Sequence, residues 1–259
     1  MSTPGIIVHS TPEVLAAAAA ARLVTRLVDV QAGGGTPKLV LTGGGIGIAL
    51  LRQVRDTIAR DAVDWSRVEF FWGDERFVAP DDPERNELQA REALLDHVPV
   101  NPDLVHPMGA DTGTGPSGAD AAAEAYAELL RRTAQPEDHA PVPTFDILLL
   151  GMGPEGHTAS VFPHSPAVYE TERTVVAVYN CPKPPPTRIS LTLPAIRRAA
   201  EVWILATGEA KAAAVALALG GAGEVAIPAA GARGQRRTLW LLDRAAAARL
   251  PRHLLPPLT

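Results

Sequence analysis

Short apolar runs alternating with longer Ala- and Leu-rich stretches constrain this chain more than any other feature. Ile6–His9, Lys38–Thr42, Val68–Trp72, Phe145–Leu150, Thr174–Tyr179, Arg188–Thr192, Glu201–Ala206 and Thr238–Leu242 are too short for helices. They are rich in Val, Ile, Leu and aromatic side chains, so each reads as a buried strand. Helices are expected at Pro12–Val30, Gly47–Arg60, Asn86–His97, Ala119–Thr133, Glu209–Leu219 and Arg244–Leu250, the first with Thr11 as N-cap and Pro12 in its opening turn. Strand–helix alternation of this kind predicts an α/β fold with a layered, mostly parallel sheet and helices on both faces. The loops at 110–120, 135–143 and 181–186 are rich in Gly, Pro and polar residues, but strand-like runs continue on either side. A single domain, 1–259, is therefore expected.

Composition narrows the function. The formal net charge of −5 lacks the basic excess of a broad nucleic-acid surface, so no nucleic-acid partner is expected. An anionic ligand would need cations and backbone N–H groups gathered at one place. Cys181 is the only cysteine, which excludes an intrachain disulfide and a Cys-based metal cluster and fits a reducing compartment. The opening MSTPGIIVHS does not read as a signal peptide. No apolar run reaches about 18 residues, so no membrane span is expected. The expectation is a cytoplasmic protein.

In open α/β sheets, ligands bind beyond the carboxyl ends of the strands, and the unusual sequence lies there. The first such loop, within LTGGGIGIALL, carries Gly43, Gly44 and Gly45 between a strand and a helix. Glycines let backbone N–H groups approach an anion at the helix N-terminus, although a tight strand-to-helix turn is also Gly-rich. The G-x-G-x-x-G spacing fails, with Ile48 or Leu50 in the third position, and no Gly-Lys-Ser/Thr is present. A phosphate on a small molecule fits better than a nucleotide. The second loop, in FFWGDERFV, delivers Asp74, Glu75 and Arg76 at a strand end, where Arg76 can clamp an anion or steady an oxyanion.

The third loop carries the strongest signal. In FDILLLGMGPEGHTASVFP an apolar strand runs into glycines and then Glu155, Gly156 and His157. A neutral imidazole can take a proton from water, and a nearby carboxylate can fix its tautomer. The other histidines have no partner pattern, and His157 with His164 lacks the HExxH spacing of a metal site. Ser160 and Ser165 lack the G-x-S-x-G elbow of a serine hydrolase. Late cations complete the set: Lys183 in CPKPPPT, Arg188 opening a strand, and Lys211 in the first turn of a helix, where it opposes the helix dipole. A solvated lysine is the alternative reading for Lys183 and Lys211.

These motifs resemble the 6-phosphogluconolactonase family over most of the chain. The matching segments are LTGGG at 41–45, FFWGDERFV with NELQAREALL at 86–95, DILLLGMGPEGHTASVFPHS at 146–165, PKPPPTRISLTLPAI at 182–196 and GEAKA at 208–212. The resemblance implies a Rossmann-like sheet shared with glucosamine-6-phosphate deaminases. It also implies cofactor-free hydrolysis of 6-phospho-D-glucono-1,5-lactone to 6-phosphogluconate in the oxidative pentose phosphate pathway. His157 would be the general base, Glu155 its orienting carboxylate and Arg76 the group steadying the carbonyl oxygen or a sugar hydroxyl. Gly43, Gly44 and Gly45 with Arg188 and Lys211 would hold the phosphate, and Asp74 would contact substrate. The sole partner implied is this small sugar phosphate; a monomer or weak homodimer is expected. Two departures stand out: Glu155 where the family often has Asp, and Gly45–Ile46 where a hydroxyl residue is common.

The rival on the same fold is deaminase-type aldose–ketose isomerisation of glucosamine 6-phosphate. That family continues Ile-Ala-Phe-Asn-Glu after its G-x-D-G-H, whereas Thr158, Ala159, Ser160 and Val161 follow His157 here. It also carries Asp-Glu-Tyr where this chain has Asp74-Glu75-Arg76. A non-catalytic sugar-phosphate sensor would need the cations but not the His–carboxylate pair. A nicotinamide dehydrogenase is opposed by the failed glycine spacing.

Overall fold

The computed structural model describes residues 3–254; Met1, Ser2 and residues 255–259 of the expected domain lie outside the described residues. In chain order the elements are β1 (Gly5–His9), α1 (Pro12–Ala32), β2 (Lys38–Leu41), α2 (Gly45–Asp56), β3 (Glu69–Trp72), β4 (Asp74–Arg76), α3 (Asn86–Ala93) and α4 (Gly118–Thr133). They continue with β5 (Ile147–Gly151), β6 (Val175–Val178), β7 (Arg188–Leu191), α5 (Leu193–Ile196), β8 (Glu201–Ala206), α6 (Ala212–Leu219), α7 (Pro228–Gly231) and β9 (Arg237–Asp243).

Thr11 caps α1 by accepting from the Val14 amide at 3.3 Å, with Pro12 in the first turn as expected. Leu15, Ala19, Leu23 and Leu27, spaced four apart, form its buried stripe. The small alanines allow α1 to lie close against β1, β9 and α2.

Six strands form one parallel sheet in the order β1–β9–β8–β5–β2–β3. Leu39–Leu41, Ile147–Leu150 and Val202–Ala206 are buried at every position, so the central strands are covered on both faces. This is the mostly parallel, single α/β domain that the alternation implied.

Three expectations need correction. The runs at 174–179 and 188–192 do form strands, but β6 and β7 pair antiparallel in a separate sheet of order β4–β7–β6, against which α4 packs. The connection 179–187 is shorter than the dozen or so residues that a parallel crossover requires, so these two strands can only form a hairpin. β4 itself, expected as a loop, extends because its backbone completes that sheet against β7. Residues 244–249 form turns instead of a helix: Asp243 accepts from the Ala246 amide through its side chain (2.7 Å) and from Ala247 through its carbonyl (3.0 Å), and Pro251 stops continuation. Three helices are also shorter than their patterns: α2 stops at Asp56, short of the expected Arg60, and a 3₁₀ turn, Ile58–Ala62, follows it. A 3₁₀ turn, Leu95–His97, replaces the end of the third, and another, Glu209–Lys211, precedes α6.

Strand order then fixes the geography. Because β8, β5, β2 and β3 are neighbours and parallel, the loops after Ala206, Gly151, Leu41 and Trp72 emerge side by side at one edge.

Candidate active site

A cleft of about 430 Å³ opens at that edge. Gly43, Gly44, Gly45, Asp74, Arg76, His157, Arg188 and Lys211 all line it, together with Lys183 and Asn86. Glu155 is absent from the wall and stands behind the imidazole.

His157 is placed by a tight turn after β5. The Gly156 amide donates to the Gly153 carbonyl and the Gly153 amide to the His157 carbonyl, each at 3.0 Å. Gly156 has φ +89°, a conformation that a side chain would strain. Glu155 Oε1 lies 2.8 Å from His157 Nδ1, and Lys183 Nζ lies 3.1 Å from Oε2 of the same carboxylate. With Glu155 ionised, Nδ1 carries the proton and donates it to Oε1, so the Nε2 lone pair is left for the cleft. The Phe162 ring covers the imidazole, with centroids 4.4 Å apart.

Burial lowers the His157 pKa from the ordinary imidazole value, the adjacent Glu155 opposes that shift, and the Lys183 charge adds to it. Burial pushes Glu155 upward, but its backbone hydrogen bond, His157 and Lys183 outweigh that and hold it below the usual carboxylate value. At neutral pH the pair is thus a neutral imidazole on a carboxylate.

The small sheet supplies the facing wall. Alternation along β4 sends Asp74 and Arg76 to one face and Glu75 to the other. Glu75 is fully buried and accepts from the amides of Arg76 (2.8 Å), Asn86 (2.7 Å) and Glu87 (2.9 Å), which anchors the start of α3. Burial pushes its pKa up against the pull of Arg85 and those amides. Glu75 is therefore structural.

Arg76 stands directly opposite Arg188 in the β4–β7 register, and Asp74 opposite Ser190. Like charges paired across strands are unfavourable unless an anion joins them. Arg76 Nη1 donates to the Glu84 carbonyl, with Glu84 Oε2 3.6 Å away. Arg188 is 5% exposed; its Nε donates to the Pro185 carbonyl (3.1 Å) and its Nη2 to those of Lys183 (3.1 Å) and Pro184 (3.2 Å). Its Nη1 is 4.0 Å from Asp74 Oδ2.

Lys211 projects from the Glu209–Lys211 turn after Gly208, whose φ is +89° and whose amide donates to Asp243 at 3.1 Å. Burial lowers the Lys211 pKa, and Lys183 adds to the effect; Asp243 and Glu155 oppose it. The glycine loop across the cleft is tight. A Cβ at Gly43 would sit 1.9 Å from Asn86 Oδ1, and Gly44 has φ +82°.

Three contributors escaped the sequence reading. Ser160, noted only for lacking a nucleophile elbow, is fully buried and donates to Asp74 Oδ2 at 2.7 Å. Ser190 accepts from the Ser160 amide at 3.1 Å. Asn86 donates from Nδ2 to the Asp74 carbonyl at 2.9 Å. Only the alternation of β7, which puts Ser190 on the same face as Arg188, offered a signal for any of them. Among the described residues no three His, Cys, Asp or Glu side chains are gathered as metal ligands would be, and no helix is long and apolar enough to cross a membrane.

The chain is similar to known proteins over nearly its whole length. The profile of the family described as glucosamine-6-phosphate isomerases/6-phosphogluconolactonase matches residues 10–240. The chain is 60% identical over 255 residues to the 6-phosphogluconolactonase of Streptomyces coelicolor, covering 98% of each chain. It is 56% identical over 239 residues to that of Mycobacterium tuberculosis, covering 92% of this chain and 95% of the other. A solved 6-phosphogluconolactonase from Trypanosoma brucei superposes with a TM-score of 0.84 at 31% identity, over 96% of this chain and 99% of that one.

Proposed function

The chain belongs to the glucosamine-6-phosphate isomerase/6-phosphogluconolactonase family, and on that premise we propose that its cleft hydrolyses 6-phosphogluconolactone with His157 as general base. The reaction is that of a carboxylic-ester hydrolase, 6-phospho-D-glucono-1,5-lactone going to 6-phosphogluconate. The observation that carries the assignment of the base is the hydrogen bond from Nδ1 to Glu155, which commits one ring nitrogen and leaves Nε2 to a water in the cleft.

In this reading Nε2 takes a proton from water as the oxygen bonds to C1 of the lactone. The carbonyl electrons move to an oxyanion steadied by Arg76, and Glu155 stabilises the imidazolium. Collapse breaks the bond from C1 to the ring oxygen, which receives the proton held by His157. A six-membered lactone already hydrolyses in water, so positioning and charge stabilisation suffice without a covalent nucleophile. Ser160 fits this, since its hydroxyl is committed to Asp74. The backbone N–H groups of Gly43, Gly44 and Gly45 at the start of α2, with Lys211, hold the phosphate. Arg188 adds charge through Nη1 while its other nitrogens fasten the 183–185 loop. We place the enzyme in the cytoplasm, where phosphorylated sugars are retained and the free, buried Cys181 stays reduced.

The test generates the lactone in situ from glucose 6-phosphate and follows 6-phosphogluconate release with and without protein, across pH. Acceleration well above the spontaneous rate is expected. The base acts unprotonated and its pKa is lowered, so kcat/KM should hold through neutral pH and fall only below the ordinary imidazole value of about 6.5. No acceleration by folded protein rejects the reading, and an acid limb above that value rejects His157 as a buried neutral base.

Lys211→Ala removes a charge-assisted contact made equally in ground and transition states. It should raise KM about tenfold or more and leave kcat nearly unchanged. A KM within twofold of the parent takes Lys211 out of the phosphate site.

A further inference from the structure

The carboxylate of Glu155 is shared. One oxygen meets His157 Nδ1 at 2.8 Å and the other meets Lys183 Nζ at 3.1 Å. Lys183 reaches it from a distant part of the chain, the loop between β6 and β7, and that loop is tied down. Three of its carbonyls accept from the buried Arg188, and the Cys181 amide donates to the Pro186 carbonyl at 2.9 Å. The ammonium is thus delivered by a strapped segment, which an incidental surface pair would not need.

Charge explains why such delivery is useful. A carboxylate against Nδ1 orients the imidazole, but it also stabilises the imidazolium, and a protonated ring is no base. The charged groups facing His157 are Glu155 and Asp74, which favour that proton, and Lys183, which disfavours it; Phe162 contributes an apolar surface. Burial of the ring acts in the same direction as Lys183.

We propose that Lys183 is a positioning residue of this reaction that acts through Glu155: by occupying Oε2 it fixes the carboxylate against Nδ1 and offsets its charge, so that the imidazole is oriented yet stays unprotonated at neutral pH. The inference rests on His157 being the base. It separates Lys183 from the phosphate-binding cations, a role for which Lys211 needs no such carboxylate partner.

The experiment compares Lys183→Met, Lys183→Gln and Lys183→Arg in the full chain. Three quantities are read: the titration midpoint of His157 by NMR of histidine-labelled, unliganded protein; the acid limb of kcat/KM; and KM. The Lys183 side chain is 42% exposed, so solvent screening limits the effect. The midpoint and the acid limb should rise together by about half a pH unit in the two neutral variants. Lys183→Arg should restore both, and KM should change less than about threefold. A midpoint that is unmoved or lowered in both neutral variants overturns the proposal. So does a tenfold rise in KM without a shift in midpoint, which would make Lys183 a phosphate ligand. If His157→Ala retained its turnover, the general-base reading would fall while the NMR midpoints still reported whether Lys183 tunes the ring.

Discussion

His157→Ala should lower kcat by several hundredfold, leave KM within a few-fold of the parent, and melt within a few degrees of it. General-base assistance contributes about 10²–10⁴ in rate, and removing the imidazole forfeits that factor without touching Gly43–Gly45 and Lys211, the phosphate anchors proposed above. Turnover above the spontaneous rate should survive, because the oxyanion role proposed for Arg76 and the proposed phosphate contacts do not depend on the imidazole. The fold should tolerate the change for local reasons. The ring lies in a loop after β5, packed on Phe162 and bonded to Glu155, and neither contact belongs to the sheet ladder. Glu155 is also not orphaned, since Lys183 remains on its second oxygen. Steady-state rates from the coupled assay and a thermal melt decide the matter. Near-parental kcat in a folded variant would remove His157 from the chemistry.

The carboxyl-end loops were legible because the sequence is odd there for reasons that folding alone does not supply. Gly43–Gly45, Asp74–Arg76 and Gly153–His157 each follow an apolar run, and parallel pairing of β8, β5, β2 and β3 brings those ends together. The second sheet was not legible in the same way. β6 and β7 look like any buried strand, and only the shortness of the 179–187 connection distinguishes a hairpin from a crossover. Missing that hairpin hid the juxtaposition of Arg76 with Arg188 and of Asp74 with Ser190, which are far apart in sequence and opposite each other in register. Ser160 was unreadable for a related reason: a buried hydroxyl is identified by its acceptor, here Asp74, and pairing across 86 positions leaves no local pattern. The false helix at 244–250 came from alanine propensity, which seven residues ending at a proline cannot convert into a stable helix.

Gly153→Ala should cost about a hundredfold in kcat while leaving the backbone undisturbed. Unlike Gly156, Gly153 does not have a positive φ, so alanine meets no left-handed-backbone penalty at this position. The obstacle is the dyad itself. A Cβ on residue 153 would lie 2.1 Å from His157 Nδ1, 2.2 Å from His157 Cε1 and 2.7 Å from Glu155 Oε2, all well inside contact distance. The imidazole and carboxylate are the movable partners, so they should retreat by about 1 Å or more, and displacement of that size costs about 10² in rate. The proposed phosphate contacts lie on other loops, so KM should change little. Gly223→Ala is the control: a Cβ there meets nothing within 4 Å, and its turnover and melting temperature should match the parent. If Gly153→Ala keeps kcat within threefold of the parent, the separation of His157 from Glu155 does not limit the reaction. The hydrogen bond at 2.8 Å would then be ornamental to catalysis, and the role given to Glu155 would fall with it.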